Sequence, residues 1–213
     1  MASYDLSHPI EAGMQTYPED PAVAVEPHAA FDRDGYRVTA LSMGSHTGTH
    51  VDAPSHTEDE GRTLGSYPPE RFRFDAQRAD VRLGARAPIS VADLPPATDA
   101  GLLVFHTGWD DHWETDRSRD HPFLTRAAAE WCVDHGYHVA TDGLSVDPTP
   151  GPNARSGEPT GFEAHHALLG AGRLVYENLT GLDRLPPRFS FHGYPLALDA
   201  DGAPVRAVAL TDE

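Results

Sequence analysis

The chain has 213 residues, of which 39% are hydrophobic and 23% charged, and these values are typical of one globular domain spanning residues 1–213. The 33 acidic residues outnumber the 16 basic ones, all arginine, and the net charge of −17 argues against nucleic acid or membrane partners, which attract positive surfaces. One cysteine, Cys132, excludes an internal disulfide and a thiolate cluster, so a metal site would need histidine and carboxylate ligands.

The sequence leads us to expect neither a membrane span nor a signal peptide. No stretch approaches the roughly 18 apolar residues that cross a bilayer, and the N-terminal segment MASYDLSHPIEAG lacks a basic region followed by an apolar one. We therefore expect a cytoplasmic protein, and the reducing cytosol suits a lone cysteine. The thirteen histidines are the compositional excess that points to function.

Hydrophobic patterning predicts a mixed α/β fold. Strands are predicted, in chain order, at 36–43, 81–83, 102–105, 137–140 and 174–176, and then as antiparallel strands at 189–191, 196–198 and 205–210. One helix is predicted from the N-cap Thr125 to about His135, and a capping-box pattern at 160–163 predicts a second helix that ends at Leu169. The succession of strand, helix and strand over 102–140 predicts a parallel pair of strands.

The segment richest in potential metal-binding and catalytic side chains is HTGTHVDAPSH, residues 46–56, which contains three histidines and an aspartate. A straight strand would separate His46 and His50 by about 13 Å, too far for two imidazoles to bind one ion. Gly48 permits a turn that folds His46 back towards His50, and Pro54 would place His56 just outside the ligands. Imidazole and carboxylate without sulfur suit zinc, manganese or iron.

Further ligands have to come from the second half of the chain. His165 and His166 are neighbours on a predicted helix, where their side chains point about 100° apart, so one of the two is expected to face the site. Spacing alone does not choose between them. Glu177 follows an apolar strand, where a carboxylate is costly unless it is paired or binds metal, although a surface position at the strand end is the alternative.

Together these residues resemble the signature HxGTHxDxPxH of the cyclase and kynurenine formamidase family. Other segments are similar to family motifs in the same order, and the resemblance spans nearly the whole chain: DLSHPIEAGMQTYPEDP, LLVFHTGWDDHW, TDGLSVDP and AHHALLGAGRLVYENLTGLDRL. The resemblance implies a swivelling β/β/α domain with a mixed sheet and flanking helices, assembled as a homodimer or larger homo-oligomer. It also implies a centre with two zinc or manganese ions.

The resemblance assigns a role to each candidate residue. Asp52 and Glu177 would bridge the two ions, and the register of the closing motif, with the ligand twelve residues before the glutamate, selects His165. The ligand set that it implies is His46, His50, Asp52, His165 and Glu177. His56 would be the proton donor and acceptor rather than a ligand. Formamidases of the family have a tryptophan that contacts the substrate in the segment where this chain has Tyr17-Pro18-Glu19-Asp20. They also tend to have a glycine where this chain has Asn178.

The expected activity is metal-dependent hydrolysis of a C–N or C–O bond in a small carbonyl compound, such as an N-formyl or other aryl amide, a lactam or a lactone. A water shared by two ions would have a lowered pKa and supply the nucleophile, and His56 would pass a proton to the leaving group. Two alternatives stay open. One is a cyclase or dehydratase that acts on a polyketide-like chain at the same metal site, and the other is a metal-binding protein without activity.

Two groups of residues are expected to support this chemistry. Aromatic side chains near the motifs are candidates for a substrate pocket, with core packing as the alternative: Tyr17, Phe31, Trp109 and Trp113. The stretch from Asp142 to Asp147 follows a predicted strand, and an aspartate in it either supports a liganding histidine or lies in a solvated turn.

Overall fold

The computed structural model describes residues 1–212. Over these residues the α-helices are Phe31–Asp34 (α1), Arg126–Asp134 (α2) and Glu163–Gly170 (α3). The strands are Ala2–Asp5 (β1), Ala24–Ala29 (β2), Val38–Ser42 (β3), His50–Asp52 (β4), Arg73–Asp80 (β5), Pro88–Ile89 (β6), Leu102–His106 (β7), Phe123–Leu124 (β8), His138–Thr141 (β9), Val175–Glu177 (β10), Arg188–Pro195 (β11) and Gly202–Thr211 (β12). No helix within this range is both long and apolar enough to cross a membrane.

Seven strands close into a barrel. Their order is β12, β11, β5, β7, β9, β10 and β4, and β4 pairs again with β12 to complete the ring, while β1 pairs with residues 208–211 of β12. The pairs β5–β7, β7–β9 and β9–β10 are parallel and the other pairs of the ring are antiparallel. The predicted mixed α/β class is confirmed, and the swivelling β/β/α description stays a prediction.

Two apolar layers hold the barrel and its helices together. Alternate residues of a strand point to opposite faces, and Leu102 and Val104 of β7 therefore join the barrel interior with Tyr176. Leu103 and Phe105 lie on the outer face, where they belong to the cluster formed with α2 and α3. The outer face beneath α3 is the surface on which the candidate site is built.

Several predicted elements are confirmed. The predicted strands 102–105, 137–140 and 174–176 correspond to β7, β9 and β10, and β7 and β9 form the predicted parallel pair. Helix α2 begins after Thr125, whose hydroxyl accepts the backbone N–H of Ala128 as an N-cap does. The predicted strand 205–210 lies within β12.

Three predicted elements are wrong in position. The strand expected at 81–83 lies earlier in the chain, as β5, which ends at Asp80. Thr160 does not cap a helix, because α3 begins only after Phe162, which has a left-handed φ of 60°. Residues 196–198 form a turn between β11 and β12, in which Leu198 N–H donates to the carbonyl of Leu196.

Strands β2 and β3 form a separate two-stranded sheet, which we call the arm. The predicted strand 36–43 corresponds to β3, and every residue of β3 is exposed. Apolar side chains on β3 and in the α1 segment between the two strands face solvent in this chain: Phe31, Tyr36, Val38 and Leu41.

Candidate metal centre

Strand β4 provides two of the predicted ligands, and its neighbours position the others. Val51 points into the barrel, so His50 and Asp52 on either side of it lie on the opposite face. In the antiparallel register of β4 and β10, Glu177 lies opposite His50, and its Oε2 is 3.6 Å from His50 Nε2. On the other edge of β4, β12 places Gly202 opposite Asp52.

The turn predicted at Gly48 is present and brings His46 to the site. Gly48 has a φ of +60°, and the rings of His46 and His50 are 5.1 Å apart. Oδ1 of Asp52 lies 2.7 Å from His46 Nδ1 and 3.2 Å from His50 Nε2. A Cβ atom at Gly202 would lie 2.5 Å from Cε1 of His46, so only glycine lets this ring pack against β12.

Helix α3 contributes His165 rather than His166. Nε2 of His165 lies 3.3 Å from Glu177 Oε1 and 3.5 Å from Asp52 Oδ2, so Asp52 stands between two groups of candidate ligands. The ring of His166 points away and pairs with Glu58 at the surface. The structure therefore brings together all five residues of the expected ligand set, although their roles as ligands stay a prediction.

The second ring nitrogen of each of these histidines is held by an oxygen atom. Nδ1–H of His50 donates to the carbonyl of Gly48 over 2.8 Å, and Nδ1–H of His165 donates to Asp147 over 2.7 Å. Nε2–H of His46 donates to Asp201 over 2.7 Å. Such bonds fix the tautomer and aim the other nitrogen at a metal. The 142–147 stretch therefore supplies the supporting aspartate, whereas nothing in the sequence marks Asp201 as a residue of the site.

The buried carboxylates raise the pKa of the neighbouring histidines. Burial lowers the pKa of His46, but Asp52 and Asp201 outweigh it and raise that pKa to about 9. Burial also opposes protonation of His165, yet Asp147, Asp52 and Glu177 raise its pKa well above the usual value. The buried carboxylates thus depend on nearby positive charge, which a divalent cation can supply in place of these protons.

The surroundings of one oxygen atom, Oδ2 of Asp52, indicate whether the five candidate ligands fit a cation. Oδ2 of Asp52 is buried and has no hydrogen-bond partner within the described chain, and an orphaned buried carboxylate oxygen is costly. Three groups of donors have ligand atoms within 4.8 Å of one another. Two of them share Asp52, namely His46, His50 and Asp52, and Asp52, His165 and Glu177, and the third is His46, His56 and Asp201. Nitrogen and oxygen donors in such groups suit zinc or manganese, so the residues fit the metal that the sequence predicts.

His56 lies beside the ligand groups in a position to exchange protons. It ends the short 3₁₀ turn Pro54–His56, and its ring is 4.0 Å from the ring of His46 and 5.7 Å from that of His165. Burial lowers the pKa of His56 below 6.5, and the opposing effect of Asp52 is smaller. The ring is therefore neutral at pH 7 and able to accept a proton.

A cavity of about 170 Å³ opens onto these histidines. Tyr17 lines it as expected, and burial together with Glu177 raises the pKa of its hydroxyl to about 12, so this group is neutral. Trp113 also lines the cavity and stacks on His8 with 3.9 Å between ring centroids. Phe162 and Leu144 complete the apolar wall, and neither was among the predicted pocket residues.

Two of the expected pocket residues lie elsewhere. Trp109 is not among the residues that line the cavity, because its indole N–H donates to the Arg117 carbonyl over 3.0 Å and its ring is buried against that arginine. Phe31 is exposed on α1, in the segment that connects the two strands of the arm. Of the two tryptophans in the loop, the structure thus places Trp113 rather than Trp109 at the cavity.

Comparisons with known proteins agree with this architecture. The family model described as "Putative cyclase" matches residues 4–148. A kynurenine formamidase of Salinibacter ruber is 32% identical over 217 residues, covering 98% of this chain and 97% of the relative. Isatin hydrolase A from Labrenzia aggregata has a TM-score of 0.86 at 21% identity, covering 100% of this chain and 94% of that one. A "potential metal-dependent hydrolase with cyclase activity" has a TM-score of 0.77 at 24% identity, covering 98% and 96%.

Proposed function

Because the chain belongs to the "Putative cyclase" family, we propose that this hydrolytic enzyme cleaves the C–N bond of a small amide or lactam with a divalent cation. The observation that carries the proposal is the convergence of five potential ligands around the orphaned Oδ2 of Asp52. The names of the formamidase and isatin hydrolase relatives support a substrate with an amide or lactam bond.

The cation would be held by the five residues of the ligand set, with Asp52 shared between the two groups, and zinc or manganese fits their nitrogen and oxygen donors. When bound, such a cation polarises a carbonyl oxygen and lowers the pKa of a water molecule. Asp147, Asp201 and the carbonyl of Gly48 keep the three histidine rings aimed at the cation.

His56 would carry the proton in this reaction. Its neutral ring accepts a proton from the attacking water and returns it to the departing nitrogen, which must leave as an amine. No serine or cysteine nucleophile is needed. The rings of His46 and His165 on either side keep His56 close to the place where the carbonyl carbon would react.

The cavity favours a compact, planar substrate without a negative charge. Tyr17, Trp113 and Phe162 provide aromatic surfaces on which a ring can pack. Within the described chain no arginine lines this cavity, and Asp20 is its one charged residue outside the group of metal-site residues. Apart from the predicted ligands His46 and His165, the described cavity wall therefore offers an anionic substituent no cationic side chain.

A reaction screen tests the proposal. Protein stripped with a chelator and reloaded with zinc or manganese should hydrolyse an N-formyl aryl amine or isatin, and oxygen from labelled water should enter the acid that forms. The matched Glu177→Gln variant should lack this activity. Metal-loaded protein that turns over none of the amides, lactams, esters or lactones in the screen would contradict the proposal, and a product without labelled oxygen would favour the cyclase alternative.

We also propose that the chain forms a homodimer through its arm and acts on a small molecule, with no nucleic acid or membrane partner. A two-stranded sheet is marginally stable alone in water, and this one together with the segment that connects its strands exposes four large apolar side chains. A second copy of the chain can cover them, since each copy carries the same surface.

A further inference from the structure

One carboxylate oxygen lies against two histidines of different proposed roles. Oδ2 of Asp201 is 2.7 Å from Nε2 of His46 and 3.4 Å from Nδ1 of His56. An ionised carboxylate only accepts hydrogen bonds, so both ring nitrogens must be the N–H donors. Asp201 therefore contacts the predicted ligand and the predicted proton carrier with the same atom.

The fold holds Asp201 in this position from both sides. The residue directly precedes β12, and its carbonyl accepts the N–H of Ala53 over 2.8 Å, which ties it to the end of β4. Gly202, the next residue, pairs with Asp52 and leaves room for the ring of His46. The side chain of Asp201 is itself 41% exposed, so its contacts with the two histidines, rather than burial, account for its placement.

Asp199, two residues earlier in the same loop, provides a contrast. Its carboxylate accepts a hydrogen bond from the hydroxyl of Thr63 and contacts neither histidine. The two aspartates share a loop and a charge but differ in what they touch. Asp199→Asn is therefore a matched control for any effect that comes only from removing a negative charge from this loop.

The geometry points to Asp201 as a positioning residue that sets the tautomers of His46 and His56 together. With Nε2–H of His46 bound to Asp201, Nδ1 of His46 is the nitrogen left for the cation, next to Oδ1 of Asp52. With Nδ1–H of His56 bound to the same oxygen, Nε2 of His56 is the nitrogen left to exchange a proton. One side chain thus couples metal binding to proton transfer.

This inference rests on the proposed function for its effect on rate, but two of its readouts need no turnover. In zinc-loaded, ¹⁵N-labelled protein, long-range ¹H–¹⁵N correlation spectra should show His56 with its proton on Nδ1. Asp201→Ala should lose that tautomer and bind zinc about 10-fold to 100-fold more weakly in competition with a chelator. Asp199→Asn should change neither property.

A third readout separates this role from a merely structural one. At saturating metal, Asp201→Ala should lower kcat in the wild-type background and cause no further loss in a His56→Ala background, because it acts through His56. An unchanged His56 tautomer or an unchanged zinc affinity in Asp201→Ala overturns the inference, as does an equal loss of kcat in both backgrounds. If the enzyme turns over no substrate, the proposed function fails while the tautomer and the affinity still decide the role of Asp201.

Discussion

The carboxylate of Asp147 accepts the Nδ1–H of His165 over 2.7 Å, and Nε2 of the same ring consequently lies 3.3 Å from Glu177. Asp147 also accepts the backbone N–H groups of Ala164 and His165, so it anchors the first turn of α3 as well as the ring. The orientation of a ligand supplied by a helix thus depends on a loop that follows β9.

Replacing Asp147 with Asn should weaken metal binding by about 10-fold to 100-fold, because a neutral amide holds the Nδ1–H of His165 less firmly. Titration of the chelator-stripped variant with zinc measures this affinity. Asp183→Asn, which removes a charge from an exposed position, is the control and should bind zinc like the wild type. Equal affinities for the Asp147 variant and the wild type would show that the ring of His165 needs no such anchor.

His56→Ala should retain its metal and lose most of its turnover, by about 10²-fold to 10⁴-fold, since general acid–base catalysis contributes that much. Elemental analysis and kcat at saturating substrate give the two quantities. His166→Ala removes a histidine that pairs with Glu58 at the surface and should change neither of them. Turnover by His56→Ala at the wild-type rate would contradict the role of His56 as the proton carrier.

His138 should make the fold sensitive to acid. Burial, followed by the nearby charges of Arg71 and Arg173, lowers the pKa of this histidine from 6.5 to about 3. Its unfolded form therefore takes up a proton below pH 6.5 while the folded form stays neutral, so stability is present above pH 6.5 and is lost as the pH falls from there towards 3.

The measurement is urea unfolding of the wild type and of His138→Asn, whose amide oxygen can still accept the N–H of Leu174. Between pH 6 and pH 5 the wild type should lose about 1 kcal/mol more of its free energy of unfolding than the variant, since one proton corresponds to about 1.4 kcal/mol per pH unit. Parallel losses in the two proteins would mean that His138 is protonated in the folded state.

Leu41→Asp should dissociate the proposed homodimer, because it places a charge in the exposed apolar surface of the arm. Light scattering coupled to gel filtration reports the mass of each variant. Val91→Asp changes an apolar residue that is 43% exposed outside the arm, and it should keep the mass of the wild type. A wild type that runs as a monomer, or a dimer that survives Leu41→Asp, would contradict self-association through the arm.

The segment 46–56 could be predicted as a metal site because its chemistry is local. Three histidines and an aspartate lie within eleven residues, and the glycine that bends them together lies between the first two. The bend at Gly48 is indeed present. His165 and Glu177 are distant in sequence, so spacing alone left His165 and His166 equal, and the resemblance to a family was needed to choose between them.

Asp201 could not be predicted, because its place at the site depends on a tertiary pairing. The sequence shows Asp201-Gly202 as a turn signal, and the pairing of β12 with β4 alone brings that turn to His46. Strand β5 was missed for a different reason. Its sequence RFDAQRAD lacks an apolar alternation, because charged residues fall on both of its faces, Arg73 and Asp75 on one and Arg78 and Asp80 on the other.

The central claim is that the five residues of the ligand set hold a cation, and anomalous diffraction from crystals grown with zinc or manganese tests it most directly. We expect an anomalous peak bonded to Asp52 and flanked by His46 and His50 on one side and by His165 and Glu177 on the other. Bonds of about 2.0–2.2 Å from their nitrogen and oxygen atoms are expected for zinc. Crystals soaked in either metal that show no peak among these side chains would contradict the account.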